Sequence, residues 1–258
     1  MVGVGLVIIA VAILHFHAKT RAPIPSSVVS PGLVATSTSS VSTTTPSEKK
    51  TSATNVGPFP INTADTIVSW NFKGAYTGNA TLSNQDNADS SRLKSLLGKG
   101  QYDNYDLYIG IGNDANLIGD GRGAYNAYNH AIAIYPNKGL AYVNLAHLMD
   151  ELGAYQTAVD AYAKAVAVEP AVLEYHLEQL YYLTHQFPKN NALLLAAFTA
   201  ASKQFGDSAA ILSIEAQWLE SLGRYADAVK AWQTVEALSP ADRASAINAQ
   251  IARDTAKE

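Results

Sequence analysis

The sequence predicts an all-α protein built from stacked helical hairpins. First, the chain repeats itself at a fixed shift of 34 residues: Tyr108 falls on Tyr142, Gly119 on Gly153, Ala124 on Ala158, Tyr128 on Tyr162 and Pro136 on Pro170. Self-similarity at periods of roughly 20–50 residues marks stacked supersecondary units. Second, small residues alternate with large aromatics at helical spacing, so two helices can approach closely while the rings fill the adjoining groove. Third, Gly119, Gly153 and Gly223 stand at expected hairpin turns, where positive φ is needed, and Pro136, Pro170 and Pro240 near the ends, where the helix must stop.

The chain of 258 residues is long enough for a sizeable core. It opens with MVGVGLVIIAVAILHF, which carries no charged side chain through Phe16. As a helix this run reaches about 24 Å, short of a hydrocarbon core of about 30 Å. Residues 1–17 are read as an uncleaved membrane anchor, with a signal peptide and a buried helix as the alternatives. Residues 18–60 come next as a linker. In 23–60, 22 of 38 residues are Ser, Thr or Pro, a composition that cannot bury enough apolar surface to offset its ordering entropy. Lys19 and Arg21 argue for a cytoplasmic flank. The stalk-like composition argues for an extracytoplasmic one, in a bacterial envelope, and that reading is preferred.

Residues 61–104 are expected to form a helical preface. Both ADTIVSWNFKGAY and NADSSRLKSLLG have helix-compatible apolar spacing. Trp70, Phe72 and Tyr76 are expected to pack on the repeat domain that begins at residue 105. Asn79-Ala80-Thr81 fits a glycosylation pattern that is frequent by chance.

Four repeats are expected over 105–242: 105–138, 139–172, 173–208 and 209–242. The fourth places Ala216, Gly223, Ala228, Trp232 and Pro240 at the equivalent positions. The third is divergent, two residues longer, with the insertion expected near His185–Asn191. Residues 243–258 are read as a polar-faced capping helix.

This pattern closely resembles the tetratricopeptide repeat family. The resemblance implies a right-handed superhelical solenoid whose concave face is lined by the first helix of each repeat and binds extended peptides or partner helices. It covers residues 105–242.

Gly110-Ile111-Gly112-Asn113-Asp114-Ala115 also fits a dinucleotide-binding fingerprint. That reading needs a preceding strand and an acidic residue about 20 positions on. No acidic residue occurs from Gly121 to Met149, so the glycines are assigned to helix packing and turns. DANLIGDGRG lacks the spacing of a calcium loop. His176 and His185, with Glu174 and Glu178, would face different directions on one helix and make a poor metal site. No hydrolase, zinc-protease or P-loop motif is present. The chain has no cysteine, which excludes thiol chemistry and disulfides. No catalytic residue, metal or cofactor is expected.

Charge is unevenly spread. Residues 1–104 carry 8 basic and 5 acidic residues, and 105–258 carry 10 and 17. An acidic array argues against nucleic acid. One subgroup of the family clamps an acidic tail with two asparagines and several basic residues. Asn113 and Asn144 fall on the asparagine positions, but Ile109, Glu174 and Glu178 stand where the bases would be. The candidate groove is therefore Asn113, Asn144, His147, Asp150, Glu151, Glu174 and Glu178, suited to a neutral or basic peptide segment or helix of another protein. The expected function is a non-catalytic scaffold or assembly factor, membrane-tethered through residues 1–16. The alternatives are a permanent structural subunit of an envelope or secretion complex, and an accessory region of an enzyme such as a glycosyltransferase.

Overall fold

The computed structural model describes residues 58–257. The expected anchor and most of the expected linker lie outside the described residues. Among the described residues no helix is long and apolar enough to cross a membrane.

The described chain is all-helical, in the order α1 Ala80–Leu96, α2 Asn104–Ile118, α3 Gly121–Ile134, α4 Leu140–Glu151, α5 Tyr155–Val168, α6 Leu173–Gln186, α7 Asn191–Phe205, α8 Ala209–Ser221, α9 Tyr225–Leu238 and α10 Ala241–Thr255. The helices pair into four hairpins, α2/α3, α4/α5, α6/α7 and α8/α9. The recurrent alanines form the seams between helices. Ala124, Ala146, Ala158, Ala216 and Ala228 are all fully buried. Gly119, Gly153 and Gly223 close three of the hairpin turns with φ of 83°, 73° and 71°, where a side chain would be strained. The third turn, Phe187–Asn190, has no glycine and holds the expected insertion. It is tied forward instead, through the Trp218 indole N–H, which donates to the Pro188 carbonyl at 2.8 Å. The third junction is also where packing changes: α8 leans on α6 more than on its chain neighbour α7.

The prolines do more than stop helices. The Tyr142 hydroxyl donates to the Pro136 carbonyl at 3.0 Å. One repeat later, His176 Nε2 lies 3.0 Å from the Pro170 carbonyl. His176 is thus a buried stand-in for a packing tyrosine, set edge-on to Phe205. Among the described residues no group of acidic, His or Cys side chains could hold a metal ion.

Both glycines of the fingerprint serve packing. At Gly110 an added Cβ would lie 2.8 Å from Leu93 Cδ1 of α1, and at Gly112 it would overlap the Tyr128 ring of α3.

The preface departs from expectation. NADSSRLKSLLG begins within α1, but ADTIVSWNFKGAY forms no helix. Residues 58–79 instead run as an irregular strap over the first two hairpins. Besides short turn bonds of its own, such as Asp65 N–H to the Asn62 carbonyl at 3.0 Å, it satisfies its backbone and side chains against the array. Phe59 N–H donates to Asn129, and the Phe59 carbonyl accepts from the Tyr125 hydroxyl at 2.7 Å. Asn62 reaches Thr157 at 2.9 Å and Asp160 at 2.7 Å. Phe72 N–H donates to Gly119 at 3.2 Å, and Gly121 N–H to Trp70 at 2.9 Å. Phe59 meets Tyr142 edge-on at 5.8 Å, and Trp70 meets Tyr125 at 5.2 Å with Arg122 over its ring at 3.6 Å. Three aromatics with array partners within reach outweigh an isolated short helix, which is marginal in water. The strap also completes α5. The residue before that helix, Ala154, has no side chain to cap it. Asp65 supplies the cap from the strap, accepting from Gln156 N–H at 3.1 Å and Thr157 N–H at 2.6 Å.

At the other end α10 packs on α9. It begins directly after Pro240, which takes the N-cap position, two residues before the start the sequence suggests.

Candidate functional site

The first helices α2, α4 and α6 are linked side by side through polar side chains. On α2, the Asn113 carbonyl oxygen accepts from the Tyr128 hydroxyl of α3 at 2.9 Å and from the Asn144 amide of α4 at 3.2 Å. One repeat on, His147 takes the place of Asn113. Its Nδ1 lies 3.3 Å from the Tyr162 hydroxyl of α5, and its Nε2 lies 3.4 Å from Glu178 of α6. Asp150 of α4 accepts from the Gln186 amide of α6 at 3.1 Å. The same device thus appears twice: the large aromatic of the second helix offers its hydroxyl to a polar residue on the first, which then reaches the neighbouring repeat.

Five of the candidates therefore meet in these contacts: Asn113 with Asn144, His147 with Glu178, and Asp150 beside them through Gln186. Glu151 and Glu174 are exposed and make no hydrogen bond or ion pair among the described residues. The repeat register explains this. Glu174 aligns with Leu140 at the start of α4, and Glu151 aligns with His185 near the end of α6. The two carboxylates stand at opposite ends of the face rather than at one point.

The electrostatics are acidic and partly desolvated. Burial raises the Asp150 carboxyl above its ordinary range, neighbouring Glu151 adds to the effect, and His147 and Gln186 oppose it. Burial likewise raises the Tyr162 hydroxyl, helped by the charges of Glu178 and Asp150, so it remains a neutral donor.

Residues missed from the sequence are the hydroxyl-bearing Tyr128 and Tyr162, together with Gln186 and Tyr181. Tyr181 is 39% exposed on α6, with its ring 4.1 Å from His185. Tyr128 and Tyr162 were visible as packing residues at the repeat period, but their polar edges carried no separate signal.

No protein-family model matches the chain, and no curated protein does. Among solved structures, the chain is similar to the crystal structure of MamA protein, with 16% identity and a TM-score of 0.44, over 60% of this chain and 89% of that one.

Proposed function

We propose that this chain is a non-catalytic interaction scaffold that binds a neutral or basic peptide segment, or a helix, of another protein along α2, α4 and α6. The observation that carries this reading is the set of cross-repeat contacts from Asn113 to Gln186. Side chains held by partners on the next helix are already ordered, so less entropy is lost when a ligand binds. Amide and imidazole groups can donate to and accept from an extended backbone, and carboxylates accept from its N–H groups. Asp150, Glu151, Glu174 and Glu178 give the face one sign, which favours a cationic partner and speeds its encounter.

The test is a peptide array of neutral, basic and acidic segments probed with the chain, followed by affinities across a salt series. Neutral or basic segments are expected to be retained. Glu174→Lys/Glu178→Lys should weaken a basic segment by about tenfold or more at low salt, and the difference should shrink as salt screens the charges. Unchanged affinity, or tighter binding of the same segment by the reversed variant, removes this face from the account.

We also propose that residues 1–16 tether the scaffold to a membrane, with the array outside the cytoplasm. Their apolar composition, with no Asp, Glu, Lys or Arg through Phe16, supports this. Full-length protein is expected to stay with membranes through a high-salt wash, and protein beginning at Ser52 to be released. Mature protein whose N-terminus maps beyond Ala18 would establish cleavage instead.

A further inference from the structure

The contact between α8 and the capping helix α10 contains two carboxyl groups where a packed interface would ordinarily hold one or none. Glu220 of α8 and Asp254 of α10 are drawn to one amide, Gln250 Nε2, which lies 3.0 Å from Glu220 Oε1 and 3.3 Å from Asp254 Oδ2, and Asp254 is fully buried. Two carboxylates held this close repel each other, and a proton on Glu220 removes the repulsion.

Their surroundings accommodate a single negative charge. The Trp232 indole of α9 donates to Glu220 Oε1. The Gln250 amide of α10 donates to the same oxygen at 3.0 Å and lies 3.3 and 3.4 Å from the two oxygens of Asp254. Lys257 Nζ is 3.7 Å from Asp254 Oδ1, and it also sits over the Tyr225 ring of α9 at 4.7 Å. The other nearby charges are engaged elsewhere. Arg253 donates to the Gln250 carbonyl oxygen, Glu236 of α9 accepts from Asn248 at 2.7 Å, and Arg224 and Lys230 pair with Asp227. Lys257 therefore balances Asp254, and among the described residues no further cation faces Glu220.

We propose that a proton on Glu220, beside the buried Asp254, holds the C-terminal helix α10 on the array, so that the helix docks in acid and is released as the pH rises. Release takes the cover from the end of the solenoid, where α9 buries Trp232 and Val235. An uncapped end of a repeat array is an edge on which another element can stack.

The direction of the effect comes from proton linkage. Burial raises the Glu220 carboxyl above its ordinary range, the Trp232 and Gln250 hydrogen bonds oppose this, and the charge of Asp254 adds to it. The docked state thus holds its proton more tightly than the released state. Docking is complete below the ordinary carboxylate range. The release constant then rises by up to about tenfold per pH unit until the raised value of Glu220 is passed, and levels off above it.

Hydrogen exchange of full-length protein tests this. Opening of residues 247–255, corrected for intrinsic exchange chemistry, is followed across pH with α4 as internal control. The parent should show that rise and plateau in α10 and none in α4. Glu220→Gln should flatten the curve and keep α10 docked, because a neutral amide beside Asp254 leaves no repulsion at any pH. Asp254→Asn should flatten it as well, and serves if the first variant folds poorly. A carbon NMR titration of the Glu220 carboxyl in the parent supplies a readout independent of any variant. A flat parent profile, an equal slope in Glu220→Gln, or a Glu220 midpoint in the ordinary carboxylate range would each overturn the proposal.

Discussion

Asp65→Ala is expected to cost about 2–3 kcal/mol of stability, although residue 65 lies outside every repeat. Its carboxylate accepts from two backbone N–H groups at the start of α5 and from the Thr157 hydroxyl at 2.6 Å. Ala154 leaves α5 without a cap of its own, and Thr157 is fully buried. Loss of a capping side chain costs about 0.5–2 kcal/mol. A buried hydroxyl deprived of its charged acceptor adds about 1–3 kcal/mol, partly offset because Asn62 N–H still donates to Thr157 at 2.9 Å. The negative charge at the helix start is lost too. Urea unfolding should show a midpoint lower by roughly 1 M or more, for a slope of about 2 kcal/mol/M, with that slope unchanged. Asp65→Asn should fall between the two, since one amide oxygen can still accept. An Asp65→Ala variant within about 0.5 kcal/mol of the parent would mean that the strap does not hold α5 in solution.

Gly112→Ala should also destabilise, against the usual rule for helices. Alanine in a helix interior is favoured over glycine by about 1 kcal/mol. Here the new methyl would enter the Tyr128 ring. That ring cannot easily retreat, because Tyr128 is 2% exposed and its hydroxyl holds Asn113 at 2.9 Å. Overpacking of this kind costs about 1–3 kcal/mol, and a methyl set onto Tyr128 Cε1 belongs at the upper end of that range, so a net loss of about 1–2 kcal/mol is expected once the propensity gain is subtracted. For a chain of this size the melting temperature should fall by roughly 2–8 °C. The Asn113 side-chain amide resonances should shift with it, because displacing the ring breaks that hydrogen bond. A melting temperature equal to the parent's or higher would show that propensity dominates.

The repeats were legible because their cause is periodic. A small residue must recur wherever two helices touch, and Ala124, Ala158 and Ala228 do so. The strap was not legible because its cause is remote. Asp65 caps a helix 91 and 92 residues away, and nothing near Asp65 marks it as a cap. Apolar spacing in ADTIVSWNFKGAY suits a helix, yet Trp70 and Phe72 find larger partners in the array than a helix could offer. His176 was ambiguous alone and becomes clear beside Tyr142, whose proline contact it repeats. At the groove, the sequence supplied the polar positions on α4 and α6. It could not show that Tyr128 and Tyr162 reach them from the second helices, because ring packing and hydroxyl donation share the same period.

The strap also determines how the molecule would answer a pull. Tension arriving from the N-terminal side enters at Pro58 and meets Phe59 first, against Asn129, Tyr125 and Tyr142. It passes next to Asn62 and Asp65 on α5, and then to Trp70 and Phe72 at the α2–α3 turn. These attachments lie in series along one short segment, so force peels them in order and each must yield before α1 is loaded. The first two hairpins absorb the strain, while α6 to α10 stand outside its path. A tether that jerks or stretches would therefore slacken the α5 cap before it disturbed the far end of the array.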